Sequence, residues 1–123
     1  MKVLTIKQPW AALIINGTKK YEFRSWKTSY RGKILIHAGL GVDKERSKDF
    51  SNLEMLKGAI IGEAEITDCI LVDEEFDKTL RRDNEKVYGH DHVGLYAWKL
   101  DNIKRYDEPI YIKGKLGLWN YDK

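Results

Sequence analysis

Pro9 and Gly17 set the tightest constraint on this chain, because together they confine the helix between them to about two turns. Proline, with its fixed φ and missing N–H, belongs at a helix start, and glycine is favoured in the left-handed position that ends one. Trp10, Leu13 and Ile14 then fall on one side of a helix over residues 9–16. A strand is predicted on either side of it. In residues 2–7, Val3 and Thr5 alternate with Leu4 and Ile6, and in residues 21–26, Glu22, Arg24 and Trp26 share one face while Tyr21 and Phe23 share the other. Residues 33–38 make a further strand, entered through the Arg31-Gly32 turn and left through Gly39 and Gly41.

Beyond this point Asp43 can cap a helix reaching Leu56, with Phe50, Leu53 and Leu56 as its apolar side. Residues 59–72 read as a long strand with Ala64 and Ile66 on one face and Glu63, Glu65 and Thr67 on the other, so that one side is polar or lines a cleft. The polar stretch 73–92 reads as a loop with a short helix. Residues 93–100 form a strand with Tyr96, Trp98 and Leu100 in register, and residues 110–112 and 116–121 read as two closing strands. Short strands with helices inserted early predict an α+β fold: a small β-barrel of mixed or antiparallel strands with two or more flanking helices, forming a single domain over residues 1–123.

The charge is unevenly placed. Residues 1–37 hold eight Lys or Arg against Glu22 alone, a balance of +7, whereas the rest hold fourteen basic against eighteen acidic residues, a balance of −4. The modest net charge of +3 therefore hides a basic face, which implies an anionic partner. Five aromatics lie among those cations between Thr5 and Ala38, which points to nucleic acid rather than a membrane, since bases stack on rings while phosphates meet Lys and Arg. Cys69 stands alone, so an internal disulfide is excluded and no multi-cysteine metal site is offered. No secretory pattern and no run near the roughly 20 apolar residues of a membrane span is present, so a cytoplasmic location is the expectation.

Four segments in order, IKQPWAALIINGTKKYEFRSW, YRGKILIHA, GAIIGEAEITDC and EPIYIKGKLGLW, resemble the ASCH family, the activating signal cointegrator-1 homology domains. The resemblance implies a PUA-like β-barrel and binding of RNA, single-stranded nucleic acid or a modified nucleoside; no cofactor and no metal are expected from the sequence. It also implies that the pattern G-x-K-x-x-E-x-R, here Gly17, Lys19, Glu22 and Arg24, lines the ligand cleft. A few small members of the family are enzymes, including an amidohydrolase that deacetylates N4-acetylcytidine with a lysine, a threonine and a glutamate, and ribonuclease activity has been attributed to others. Lys19 matches the lysine, but Glu22 holds the threonine position, which removes the candidate hydroxyl and leaves Lys19 and Glu22, with Glu63 or Glu65, to act on water.

The residues themselves suggest the same region. The start of the 9–16 helix presents backbone N–H groups without helical partners and the positive end of the helix dipole, which suits a phosphate or carboxylate. Lys7, Gln8, Pro9 and Trp10 surround that end, and Lys19 and Lys20 follow the other. Glu22 and Arg24 project from one strand face with Lys19 just before it, so three charges can converge at the barrel mouth; an internal ion pair is the competing reading. Trp26 and Tyr30 offer stacking surfaces beside Lys27 and Arg31, in competition with core packing. His37 reads as a structural histidine, and His90 and His92 form an H-x-H pair that lacks an evident third metal ligand. The expected function is a nucleic-acid or modified-nucleoside binding module with a basic cleft. The alternative is a hydrolase using Lys19 and Glu22, and a protein partner or homodimer covering the basic face is the third reading.

Overall fold

The computed structural model describes residues 1–89 and 91–122. The elements run β1 (Lys2–Gln8), α1 (Trp10–Ile15), β2 (Tyr21–Arg24), β3 (Gly32–Val42), α2 (Lys44–Ser47), β4 (Ala59–Leu71), α3 (Glu74–Tyr88), β5 (Tyr96–Tyr111) and β6 (Leu118–Asn120), with a 3-10 turn at Lys48–Phe50. The strands form one mixed sheet in the order β2-β5-β4-β3-β1-β6, in which β1 and β3 are parallel and the other neighbours antiparallel.

The barrel predicted from sequence is corrected to an open ladder whose edges are β2 and β6. On the edge of β1 away from β3, β6 takes up Lys2–Leu4, and β2 pairs with β5 alone rather than with the remainder of that edge. The sheet nevertheless coils until its ends meet through a side chain. Arg24 of β2 donates from Nη2 to the backbone oxygen of Thr5 in β1 at 2.8 Å, although the two strands stand four places apart in the sheet order.

Inside this coil, Leu4, Ile6, Ile34, Ile36, Ile66 and Trp98 pack against α1. At roughly 1.5–3 kcal/mol for each large apolar side chain removed from water, this core is the main stabilising element. The helix is not one-sided, as its sequence suggests, but buried all round, because Ile14 and Ile15 face this core while Leu13 faces α3. Gly62 permits the fit. A β-carbon there would lie 2.4 Å from the Lys104 backbone oxygen and 2.7 Å from Ile15 Cδ1.

Other sequence readings are extended or corrected. Ala64 and Ile66 are buried and Thr67 is exposed, as the alternation of β4 requires. β3 does not leave at Gly39 but continues to Val42, since Val42 pairs with Gln8 beyond a bulge in β3 between Ala38 and Val42. Asp43 does cap a helix, its Oδ1 accepting the Arg46 N–H at 3.1 Å, yet α2 ends at Ser47. No straight helix face could send Phe50 and Leu53 to α3 while sending Leu56 to the main core. The strands expected at 93–100 and 110–112 are parts of one sixteen-residue strand, β5, which three register shifts bend round the core.

The stretch read as a loop is chiefly α3. Asp73 caps it by accepting the Phe76 N–H at 2.8 Å, and Leu80, Val87 and Tyr88 are buried against Leu13. Asn84 breaks the helix with extended backbone, φ −162° and ψ 89°, and its Oδ1 accepts the Val87 N–H to restart the last turn. That last turn places Tyr88 beside β2.

Candidate functional site

The backbone that leaves α1 determines where the charges go. Gly17, at φ 83°, turns the chain back so that the Gly17 and Lys19 N–H groups bond to the Ile14 and Leu13 oxygens at 3.0 and 2.9 Å. Lys19 is thereby drawn under the surface, where its side chain is 4% exposed. Its ammonium donates to the Tyr21 backbone oxygen and to Glu22 Oε1, the latter at 3.2 Å. Glu22 Oε2 accepts from Arg24 Nη2 at 3.0 Å, and that same nitrogen reaches Thr5 in β1. A continuous chain from Lys19 through Glu22 and Arg24 thus spans the gap where the ladder stops.

This chain forms the floor of a cleft of about 600 Å3 between β1, β2, the end of β3, the start of α2 and the end of α3. Two cations face the Trp10 ring: Lys19 Nζ at 5.7 Å and the Arg46 guanidinium at 5.3 Å from its centroid. Lys19 also lies 4.8 Å from the Phe23 centroid, and Phe23 is stacked on His92 at 3.9 Å. Burial pushes the Lys19 ammonium below the ordinary lysine range; Glu22 opposes this and Arg24 adds to it. Burial likewise lowers the His92 pKa, with Asp77 opposing and Lys19 and Arg46 reinforcing the shift. Burial raises that of Tyr88, whose hydroxyl oxygen accepts the Lys20 N–H at 2.9 Å.

Two residues of the cleft lining, Arg24 and His92, also carry unsatisfied buried polar atoms. Among the described residues, Arg24 Nε, Asp77 Oδ1 and His92 Nδ1 are buried without a hydrogen-bond partner, and Ser47 Oγ is the fourth such atom. Asp77 Oδ1 and His92 Nδ1 lie 3.5 Å apart, close enough to attract but without hydrogen-bond geometry, while Asp77 Oδ2 accepts from Arg81 at 2.7 Å. Buried polar groups are ordinarily paired, so Arg24 Nε and His92 Nδ1 are donors or acceptors in the cleft lining that the fold itself leaves unused.

Of the residues singled out by sequence, Lys7, Trp10, Lys19, Glu22 and Arg24 meet in the cleft. Gln8 does not. It is wholly buried, its Oε1 accepting the Ala12 N–H at 2.9 Å and its Nε2 donating to the Leu56 oxygen at 2.7 Å. The first of these bonds takes up the Ala12 N–H, so part of the helix start thought to await an anion is satisfied internally. Lys20 points outward, 3.4 Å from the Gly17 oxygen. Trp26 is half exposed and set edge-on against Trp98, outside the cleft, and Arg31 braces its own turn through the Thr28 and Tyr30 oxygens. Glu63 and Glu65 bind Tyr106 and Asn102 on the outer face, away from Lys19. His37 is a structural histidine, and His90 lies outside the described residues. Sequence reasoning missed Asp43, Arg46, Tyr88 and His92 as lining residues. The capping pattern of Asp73 to Phe76 was the signal available for the helix that brings in Tyr88.

The ASCH domain family matches residues 4–109, over the fold and cleft just described. This chain belongs to that family. The ASCH family is generally proposed to bind RNA. Over 35 residues the chain is 49% identical to activating signal cointegrator 1 of Homo sapiens and equally to that of Mus musculus, a match covering 28% of this chain. The chain spans 6% of the length of those curated relatives. Among solved structures it is similar to the ASCH protein of Zymomonas mobilis, with a TM-score of 0.58 and 18% identity over 89% of this chain and 72% of that one. A point mutant of the same Zymomonas mobilis protein gives a TM-score of 0.55 over 89% of this chain and 74% of that one. At such identity the likeness establishes the shared fold. No helix among the described residues is long and apolar enough to cross a membrane.

Proposed function

We propose that this ASCH domain binds RNA or another single-stranded nucleic acid by drawing one nucleotide, including a modified one, into the Lys19–Glu22–Arg24 cleft. The observation that carries this reading is the imbalance of the lining. Lys7, Lys19, Arg24 and Arg46 face only Glu22 and Asp43, and both carboxylates are engaged, Glu22 by two cations and Asp43 by the start of α2. The cleft is therefore positive where a phosphate would enter. Trp10, Phe23, Tyr88 and His92 supply flat apolar surface for a base, at about 1–3 kcal/mol for each stacked base. Its volume lies within the roughly 300–1,000 Å3 of small-ligand sites.

The test is anisotropy of a labelled single-stranded oligouridylate titrated with protein across salt. Three or four phosphate contacts give a log-log slope of about −2 to −3, and Lys7→Ala or Arg46→Ala each lowers its magnitude by about 0.7. An affinity indifferent to salt removes the reading.

The depressed pKa of Lys19 beside a carboxylate favours a second reading, a hydrolase acting on a modified nucleoside or RNA. It ranks second because both Glu22 oxygens already accept from cations, Oε1 from Lys19 and Oε2 from Arg24. Incubation with N4-acetylcytidine or labelled RNA, followed chromatographically, separates the two. A binder returns its ligand unchanged.

A further inference from the structure

Thr5, Gly39 and Leu40 form a wall with a cavity on each side. One side is the cleft; the other is a groove of about 630 Å3 floored by His37 and Gly58 and bounded by the segment Lys113, Gly114, Lys115 and Leu116. That segment is a strap held close to the sheet. The Ile112 N–H donates to the Gly58 oxygen at 3.0 Å, and His37 Nε2 donates to the Ile112 oxygen at 2.7 Å. With that proton fixed on Nε2, Nδ1 accepts from the Thr5 hydroxyl at 3.3 Å, and the Thr5 oxygen in turn accepts the Trp119 indole N–H at 2.9 Å. Gly114 lies so near this network that a β-carbon would stand 2.5 Å from His37 Cε1 and 2.9 Å from Thr5 Oγ1.

The strap's side chains are then left without a role in folding. Leu116 is 96% exposed and Leu40, across the groove, 78% exposed. Lys113 and Lys115 line the groove with no carboxylate among its lining residues, and neither has an ion-pair partner among the described residues. An apolar surface rimmed by unpaired cations is complementary to a nucleotide: base against leucine, phosphate against lysine.

We infer that this groove is a second nucleotide subsite, continuous with the cleft over the Thr5, Gly39 and Leu40 wall. The ligand is therefore a strand of at least two linked nucleotides rather than a free nucleoside. The inference rests on the cleft reading above and specifies its substrate class. Lys113 and Lys115 hold the backbone phosphates of the neighbouring nucleotide, and Leu40 and Leu116 enclose its base. Gly39 keeps the wall low enough for the strand to cross.

The experiment displaces a labelled hexauridylate with unlabelled uridine monophosphate and with oligouridylates of increasing length, at 0.1 M salt. In the wild type, affinity rises about 25-fold or more on going from one nucleotide to two or three, with the salt slope steepening by about 0.7 for each added phosphate contact. The double variant Lys113→Ala/Lys115→Ala loses about 5-fold for each lysine, about 25-fold in all, for the oligonucleotides, and its salt slope falls by about 1.4. Its affinity for the monophosphate stays unchanged. Lys113→Arg/Lys115→Arg restores the length dependence. A monophosphate that binds as well as an oligonucleotide, or a double variant that weakens both alike, overturns the second subsite and leaves the cleft intact. Failure of every probe to bind the wild type overturns the cleft reading and this one with it.

Discussion

Replacing Glu22 by Gln is the most direct probe of the cleft, because it preserves shape while removing the one charge that separates two buried cations. Glu22 lies 3.2 Å from the Lys19 ammonium and 3.0 Å from the Arg24 guanidinium, and the three side chains are 10%, 4% and 21% exposed respectively. At an effective dielectric of about 20, each contact is worth about 5 kcal/mol before desolvation. Desolvation offsets most of this while the triad is intact. With the carboxylate gone, the two cations keep their desolvation cost and face one another, and loss of one partner from a buried pair costs about 3–5 kcal/mol. With an unfolding entropy of about 2.1 cal/mol/K per residue, a chain of 123 residues loses about 4 °C in Tm for each kcal/mol. Glu22→Gln is thus expected to lower Tm by about 12–20 °C. Circular dichroism melts at pH 7 provide the measurement, with Lys19→Met/Glu22→Gln as the control that removes one of the opposed cations. The control is expected to recover part of the loss. A Glu22→Gln protein melting within about 3 °C of wild type would refute the claim that the triad is buried and mutually dependent.

Two further outcomes follow from the same geometry. Because the folded-state pKa of Lys19 is lowered, the unfolded chain binds more protons between that pKa and 10.5, so stability rises with pH through that window and is flat below it. Urea unfolding of wild type against Lys19→Met from pH 7 to 10 should show a difference that grows in the wild type's favour, by at most about 1.4 kcal/mol per pH unit, and a constant difference would contradict the shift. Gly62→Ala places a carbon against the Lys104 backbone and Ile15, where neither β5 nor α1 can easily yield. A loss of about 1–3 kcal/mol in chemical denaturation is expected, and an unchanged midpoint would show that the α1 contact is looser than described.

What could be read from sequence was what local period and capping control. Glu22 and Arg24 share a strand face because side chains alternate, and Asp43 caps α2 because a carboxylate before a helix meets its free N–H groups. Features set by competition between distant segments were not legible. Gln8 looks like a ligand beside a helix start, yet the buried first turn of α1 needs an acceptor of its own and takes the Gln8 side chain. α3 was hidden by its polar composition and by Asn84, which breaks the apolar spacing between Leu80 and Val87. Arg46 and His92 reach the cleft only through tertiary packing, and no spacing in the chain encodes their approach to Trp10 and Phe23.

The open ladder and the cleft have one cause. β6 occupies the Lys2–Leu4 half of the β1 edge that a closed barrel would give to β2, and β2 does not pair with the rest, so the coiled sheet is left with a seam between β1 and β2. A seam between strand edges leaves unpaired polar backbone beside the core, and a polar side chain that crosses it supplies the missing partner. Arg24 crosses it by donating to the Thr5 oxygen, Glu22 neutralises Arg24, and Lys19 balances Glu22. The charges proposed to recognise a nucleotide are thus the same ones that close the fold. This explains why they are buried rather than displayed, and why a ligand entering here meets a fixed set of donors. It also predicts a trade-off: within the triad, substitutions that alter ligand recognition will alter stability together with it, whereas Lys7, Lys113 and Lys115 at the rim can be changed for binding alone.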